Sequence, residues 1–176
     1  MADYTRAQSR IGLARRGAPS DRGPRTEYLA FRLGDDVYAG PVSLIREILK
    51  PPPLTPVPRA PFSLMGIISV RGQLVTVIDL RRRLRLSEQG PTRRARVLLV
   101  NPNNVETLGF YVDEVLQVYR LADDEIEHAA AALGGEVAPY IAGIARPILH
   151  GSSSSMPHAD ASLVILLELR SLLATT

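Results

Sequence analysis

The chain has 176 residues, 45% of them hydrophobic, which is enough to bury the core of one domain. It contains no cysteine, which excludes disulfides, thiolate metal sites and cysteine nucleophiles. The sequence also lacks the roughly 20 consecutive apolar residues of a membrane helix and the apolar segment of a secretory signal, so we expect a cytoplasmic protein with no direct membrane insertion.

Positive charge is concentrated at the N-terminus. Residues 1–26 carry six arginines and two aspartates, a net charge of +4, whereas residues 27–176 carry 15 basic and 16 acidic side chains, a net charge of −1. We predict that residues 1–26 form a disordered basic tail, because they are rich in small residues and have no apolar periodicity. In the body, an arginine-rich stretch (81–96) precedes an acidic one (97–140), which indicates either two faces of opposite potential or ordinary solvated surface.

The first predicted elements are a hairpin and a short helix. Residues 28–33 and 37–39 are mainly aromatic and aliphatic and flank Gly34-Asp35-Asp36, a pattern typical of a β-hairpin. The next segment predicts a helix between Pro41 and the prolines 51–53, because these apolar residues would share one face of it: Val42, Ile45, Ile48 and Leu49. The proline-rich residues 54–61 are predicted to cross over in an extended conformation with few ladder hydrogen bonds.

Residues 66–80 read as two apolar strands joined by an Arg71-Gly72 turn. Residues 74–81 (LVTVIDLR) recur as residues 163–170 (LVILLELR), and each copy follows a Pro-aromatic pair and a Gly-Ile pair. The repeat predicts two similar halves, in which Asp79 and Glu168 occupy matching positions and are expected to anchor a turn or cap. Gly66 and Gly72 are expected to supply positive φ or a close backbone approach, with partner contact as the alternative.

The second half is also predicted to consist mainly of strands. Residues 96–100 and 108–115 form a hairpin around the Asn-Pro turn at 101–104, and residues 123–133 form a loop with a helical tendency. Residues 152–157 are a flexible serine-rich excursion, and strand 163–167 continues into a terminal helix over 167–173. Short strands with little helix between them favour an all-β fold with short helices, built from small barrels.

Groups suited to catalysis are scarce. The three histidines, His128, His150 and His158, have no second ligand at metal spacing, although a loop site of the last two with Asp160 is conceivable. The paired carboxylates Asp113-Glu114 and those at 123–125 lie in turn-like sequence that we expect to be solvated, which does not favour acid–base catalysis. No phosphate-binding glycine loop is present. We therefore predict a protein that is not an enzyme and has no cofactor and no metal.

An alternative function is binding of single-stranded nucleic acid by a small barrel, which requires a basic groove lined with aromatic side chains. Aromatic residues make up only 5% of the chain, and none lies in the arginine-rich stretch 81–96. Stacking platforms are therefore missing from the sequence around the charge, although the basic tail would add salt-dependent phosphate contacts. We accordingly expect no nucleic-acid partner and keep this function as the alternative.

Several motifs, in order over residues 27–176, resemble the CheW family of chemotaxis coupling proteins. They are Phe31-x-Leu33-Gly34-Asp35-Asp36-x-Tyr38, Val42-x-x-Ile45-Arg46-Glu47-Ile48-Leu49, Val57-Pro58-x-Ala60-Pro61, Gly66-Ile67-Ile68-x-Val70-Arg71-Gly72, Val77-Ile78-Asp79-Leu80-Arg81, Gly109 with Val112-Asp113-Glu114-Val115, Tyr140-Ile141-x-Gly143, and residues 163–169. The resemblance implies one domain, residues 27–176, with two five-stranded SH3-like β-barrel subdomains. The expected subdomains are residues 27–90 and 91–176, with strands exchanged between them.

By the same resemblance the chain is an adaptor that couples chemoreceptors to a CheA-type histidine kinase. The cytoplasmic tip of a methyl-accepting chemoreceptor is expected to dock in a groove formed by Val42, Ile45, Glu47, Ile48, Gly66, Arg71 and Gly72. A second surface, which the sequence does not assign, is expected to bind the kinase's regulatory domain. The protein is expected to be a monomer in isolation and to assemble into rings with the kinase.

Some residues depart from the family pattern or allow two interpretations. Gly40-Pro41 stands where a β-branched residue is common, Ser69 replaces a usual Asn, and residues 150–161 are an insertion. Arg71 either contacts a partner or pairs with Glu47. Of Ile45 and Ile48, we expect one to lie in the core and the other to be exposed.

Overall fold

The computed structural model describes residues 23–87, 90, 92–102, 105–129, 138–147 and 163–172. Within these residues the regular elements are strands, short 3-10 turns and short helical segments. The strands are β1 (Arg25–Leu33), β2 (Asp36–Pro41), β3 (Ile45–Leu49), β4 (Leu64–Val70), β5 (Gln73–Asp79), β6 (Arg96–Val100), β7 (Leu108–Val112), β8 (Glu114–Ala122), β9 (Ile126–His128), β10 (Ile141–Ala145) and β11 (Val164–Leu167). The 3-10 turns are Val42–Leu44 and Asp123–Glu125, and the helical turn α1 is Leu80–Arg83.

The strands form two sheets, so the all-β prediction is confirmed. The five-stranded sheet has the order β3-β6-β7-β5-β4, and the six-stranded sheet has the order β8-β1-β2-β11-β10-β9. The six-stranded sheet exceeds the expected five strands because the short β9 pairs with β10. In the described part of the chain no strand pairing closes either sheet into a full barrel. Two sheet subdomains of this kind are consistent with SH3-like architecture.

The two sheets exchange strands across residue 90. Strands β1 and β2, from the N-terminal half of the chain, pair with β8 and β11 in the six-stranded sheet. Strands β6 and β7, which follow residue 90, belong to the five-stranded sheet. The chain therefore passes from one sheet to the other at residues 42–44 and returns after β7.

The sequence repeat is a structural repeat, as predicted. In the five-stranded sheet, β5 pairs antiparallel with β4 and parallel with β7. In the other sheet, β11 pairs antiparallel with β10 and parallel with β2. Strands β4 and β10 both shift register at a buried glycine, Gly66 and Gly143 respectively. A Cβ added to Gly66 would lie 2.5 Å from the Thr55 carbonyl oxygen, and one added to Gly143 would lie 2.7 Å from the Glu127 carbonyl oxygen.

Three apolar clusters form the core. One cluster belongs to the five-stranded sheet, and a second belongs to the six-stranded sheet. The third, here called the shared core, lies between the sheets and takes side chains from both, including Phe31, Leu98 and Phe110. Strand β6 sends Val97 and Leu99 to its own cluster and Leu98 and Val100 to the shared core. Burial on both faces explains why this strand reads as a continuous apolar run rather than an alternating one.

The helix predicted over residues 42–49 is wrong. Val42–Leu44 is a 3-10 turn, and Ile45–Leu49 is strand β3, which pairs antiparallel with β6. The apolar spacing fits a helical face, but burial along β3 alternates between half-buried and exposed residues, with period two. Pairing with the buried strand β6 thus overrides the local helical pattern.

Two further predictions need correction. The strand predicted over residues 108–115 is interrupted at Asp113, where the chain leaves β7 of one sheet and enters β8 of the other. The terminal helix predicted over 167–173 is a turn at residues 169–172, in which the Ser171 N–H donates to the Glu168 carbonyl. The hairpins β1–β2, β4–β5 and β6–β7 are confirmed.

Other predictions concern segments that lie partly or wholly outside the described residues. In the loop with a helical tendency, residues 123–128 form a 3-10 turn followed by strand β9, and residues 130–137 lie outside the described residues. The tail 1–22 and the serine-rich loop also lie outside them. Among the residues described, no helix has the length and apolar character required to cross a membrane.

Candidate interaction site

The Arg71-Gly72 turn projects from the hairpin of β4 and β5. Val70 pairs with Gln73, so the turn has only two residues, and both have positive φ, 50° for Arg71 and 83° for Gly72. Two consecutive left-handed residues match the twist of a tight hairpin. An added Cβ on Gly72 would meet no atom within 4 Å, so backbone conformation rather than space favours glycine there.

Arg71 also pairs with Glu47, one of the two interpretations that the sequence left open. Its Nη2 donates to Glu47 Oε1 at 3.1 Å, and the Arg71 side chain remains 80% exposed. Glu47 lies on β3 and Arg71 follows β4, so the pair joins the two outer strands of the five-stranded sheet. An exposed pair of this kind contributes about 0–1 kcal/mol, which leaves the guanidinium accessible to a partner.

Apolar residues of the predicted groove lie close by on the same chain segment. Val42 and Ile45 are half-buried and pack against the shared core between the sheets, as does their neighbour Leu44. Ile48 is 42% exposed. Of the expected core and exposed pair, Ile48 is exposed and Ile45 is half-buried against the shared core, because residues three apart in a strand point to opposite faces.

Gly66 differs from the other predicted site residues because it is buried. Its φ is 151°, and Thr55 pairs with Ile67 immediately beside it. The clash that a Cβ would make with the Thr55 carbonyl explains why glycine is needed here. Gly66 therefore shapes the strand that carries Arg71 and offers no side chain to a surface.

Exposed apolar residues extend the surface beyond the predicted set. Leu74, three residues after Arg71, is 76% exposed, and Val105 is 83% exposed. Both line an open cleft of about 580 Å³ at the start of β5 and β7. No local sequence pattern predicts this cleft, because the parallel pairing of β5 with β7 brings Val105 towards β5.

A buried ion pair was missed by the sequence reasoning. Asp113 Oδ2 accepts hydrogen bonds from Arg81 Nε at 2.6 Å and from the Gly34 N–H at 2.7 Å, and Arg81 Nη2 also contacts it. Both side chains are 7% exposed, so the expectation that Asp113 is solvated is wrong. The partners are 32 and 79 residues away in sequence, and this separation explains why no local pattern reveals the pair.

The matching carboxylates of the repeat are turn anchors, as predicted. Asp79 Oδ1 accepts from the N–H groups of Arg81 and Arg82 at 2.8 and 3.2 Å, which caps α1. Glu168 Oε1 accepts from the Arg170 N–H at 3.2 Å. Neither geometry resembles a catalytic dyad, since each carboxylate accepts hydrogen bonds from backbone N–H groups two or three residues further along the chain.

Three tyrosines have perturbed ionisation. Burial raises the pKa of Tyr38, Tyr28 and Tyr111 above the usual 10, and nearby carboxylates add to the effect in each case. For Tyr38, which belongs to the shared core, the carboxylate is Asp36. These shifts follow from packing and indicate no proton-transfer site.

A metal site finds no support among the described residues. No group of three histidine, aspartate or glutamate side chains there is placed to hold an ion. His128 lies 3.4 Å from Asp123 as an exposed pair. The conceivable loop site of His150, His158 and Asp160 lies outside the described residues.

Known proteins share this sequence pattern and fold. The family model described as CheW-like domain matches residues 27–176. The chemotaxis protein CheW of Rhizobium meliloti is 33% identical over 101 residues, which span 57% of this chain and 64% of that protein. Protein FrzA of Myxococcus xanthus is 34% identical over 115 residues, which span 65% of this chain and 70% of FrzA. The alignment thus covers less than two thirds of the Rhizobium protein.

A solved structure supports the architecture. The scaffolding protein TtCheW from Thermoanaerobacter tengcongensis superposes with a TM-score of 0.69, over 84% of this chain and 92% of that protein. The two sequences are 24% identical over this match, so the likeness concerns the fold.

Proposed function

This chain belongs to the CheW family, and from that premise we propose that it is a non-enzymatic adaptor that couples chemoreceptors to a CheA-type histidine kinase. The observation that carries the proposal is the family match over residues 27–176, which includes the Arg71-Gly72 turn. Relatives named for chemotaxis place the family in such signalling pathways. The adaptor acts in the cytoplasm, where receptor tips and kinase meet.

The receptor tip binds at the junction of the two sheets. Val42 and Ile45 supply apolar contacts there, and Arg71 with Glu47 supplies charge at its edge. Ile48, on the opposite face of β3, adds an exposed apolar contact outside the junction. Gly72 lets the turn project, and Gly66 acts indirectly by allowing β4 to pass Thr55. A partner that displaces Glu47 from Arg71 gains a charge-assisted hydrogen bond at small cost to the fold.

The kinase's regulatory domain binds a separate surface. The protein is a monomer alone and enters rings when it alternates with the kinase, because heterologous contacts close when the rotation between neighbours allows. The signal is then a coupling free energy transmitted through two interfaces rather than a chemical step.

The test is direct association. The full chain is titrated by calorimetry with a candidate kinase regulatory domain and, separately, with a receptor tip fragment. We expect micromolar binding to each and simultaneous binding of both. If neither partner binds at concentrations of roughly tens of micromolar, the adaptor function is contradicted.

Single-stranded nucleic-acid binding stays the second candidate, on one observation. The tertiary fold brings Phe62 to the arginine-rich stretch, with the Arg82 guanidinium carbon 4.7 Å from the ring centroid. A salt titration against single-stranded DNA, with and without residues 1–26, separates the candidates. Binding that survives deletion of the tail would favour the nucleic-acid function; binding lost with the tail would exclude it.

A further inference from the structure

A basic and aromatic patch lies at the opposite end of the β4–β5 hairpin from the Arg71-Gly72 turn. It surrounds an open cleft of about 350 Å³ lined by Phe62, Ser63, Arg82, Arg83, Arg85 and Leu86. Among the described residues, Phe62 is the one exposed aromatic side chain, at 69% exposure. An exposed aromatic ring beside three arginines is the composition of an interface hot spot rather than of an ordinary solvated surface.

The patch is held in place by contacts with its own backbone. The Arg82 guanidinium stacks on the Phe62 ring, and its Nη1 donates to the Phe62 carbonyl at 3.3 Å. Arg83 Nε donates to the Leu172 carbonyl at 2.8 Å. These contacts hold Arg82 and Arg83 in place, so a partner loses less conformational entropy when it binds them.

Among the described residues, positive charge at the patch exceeds the negative charge beside it. Asp79 lies 3.6 Å from Arg82, and the same carboxylate also caps α1. In the described part of the chain, no carboxylate lies within ion-pair distance of Arg83 or Arg85, and Arg83 Nη2 is buried without a hydrogen-bond partner there. The patch therefore attracts an anion.

Backbone conformation at Arg85 supplies a substitution with which to test the patch. Arg85 follows α1 with φ of 58°, the left-handed conformation in which helix ends usually carry glycine. Arginine is strained there, as is Arg59 with φ of 59°. The substitution Arg85→Gly therefore removes the positive charge and also relieves the backbone strain of the left-handed conformation.

From these observations we infer that the patch binds an acidic segment of a protein partner, with carboxylates on the arginines and an apolar side chain against Phe62. The cleft is open and mostly polar, which suits a protein surface better than a small molecule. Stacked nucleic-acid bases fit it less well, because Arg82 already covers one face of the Phe62 ring. The inference stands on the patch alone and does not depend on the adaptor function.

The experiment uses the full chain and a short fluorescein-labelled peptide in which glutamates flank a leucine pair. Fluorescence anisotropy is measured for the wild type, Phe62→Ala and Arg85→Gly. The matched control is Arg59→Gly, since Arg59 is exposed with φ of 59° but does not line the cleft. The same peptide with glutamine for glutamate and a single-stranded oligonucleotide of equal charge are run in parallel.

We expect the acidic peptide to bind the wild type and Arg59→Gly, and to bind Phe62→Ala and Arg85→Gly at least about fivefold more weakly. The melting temperature of Arg85→Gly should equal or exceed that of the wild type, which shows that lost binding is not unfolding. Three results would overturn the inference: no binding by the wild type, equal weakening in Arg59→Gly, or tighter binding of the oligonucleotide than of the peptide.

Discussion

Arg81 and Arg71 each meet a carboxylate, in opposite surroundings. Arg81 and Asp113 are both 7% exposed, and Asp113 also accepts the Gly34 N–H from the other sheet. The Arg71 side chain is 80% exposed and reaches Glu47 at 3.1 Å across the edges of one sheet. The first pair lies where the chain passes between the sheets, and the second lies at the tip of a hairpin.

This contrast separates structural charge from charge available to partners. A buried pair is costly to break, because removing one partner leaves the other charge without solvent or counterion. An exposed pair is nearly neutral for stability, because water replaces the lost partner. Arg81 therefore serves the junction of the two sheets, and Arg71 is free to serve binding.

The largest expected effect comes from breaking the buried pair. Asp113→Asn removes the counterion of Arg81 at the sheet junction and should lower the free energy of unfolding by about 3–5 kcal/mol. Urea denaturation measures the change. The control is Glu114→Gln at the next residue, which loses only partly exposed pairs with Arg32 and Arg94. An equal decrease in the free energy of unfolding of the two variants would contradict the claim that the buried pair stabilises the fold more than the exposed pairs.

The two glycines of the β4–β5 hairpin should repeat the contrast on a smaller scale. Gly66→Ala combines a φ of 151° with a Cβ only 2.5 Å from the Thr55 carbonyl oxygen, and should cost about 2–3 kcal/mol. Gly72→Ala meets no neighbour, so it pays only for positive φ, about 1 kcal/mol. Thermal melts of both variants check the order. A larger loss for Gly72→Ala would contradict the assignment of Gly66 to structure.

The sequence was informative where local pattern and repeat decide the structure. The strands on each side of Arg71-Gly72, the matching strand 163–167 and the roles of Asp79 and Glu168 follow from turn chemistry and repetition. It failed at Ile45–Leu49, because pairing with β6 decided that segment. It also missed the contact of Arg81 with Asp113, because that contact depends on the parallel pairing of β5 with β7, which a single sequence does not display. The contact of Arg82 with Phe62, at the base of the β4–β5 hairpin, was missed as well.

High pH should weaken the buried region by another route. An unfolded tyrosine loses its proton near pH 10, whereas Tyr38 keeps its proton to higher pH because burial raises its pKa. Above pH about 10 the unfolded state therefore binds fewer protons, and the free energy of unfolding falls as pH rises. Urea denaturation between pH of about 8 and 11 measures the slope. Tyr38→Phe should flatten it, and an unchanged or steeper slope would contradict this account.

The exposed pair should have the smallest effect on stability and a large one on signalling. Arg71→Ala should change the free energy of unfolding by no more than about 1 kcal/mol. Its matched control is Arg94→Ala, because Arg94 is 76% exposed and pairs with Glu114 at 3.0 Å in the same manner. Both variants should remain as folded as the wild type in urea denaturation.

The decisive measurement is the rate of kinase autophosphorylation with receptor fragments and each adaptor variant. Arg71→Ala should leave the kinase at the rate seen without adaptor, whereas Arg94→Ala should stimulate it as the wild type does. Full stimulation by a folded Arg71→Ala protein would contradict the claim that this exposed pair serves the receptor partner.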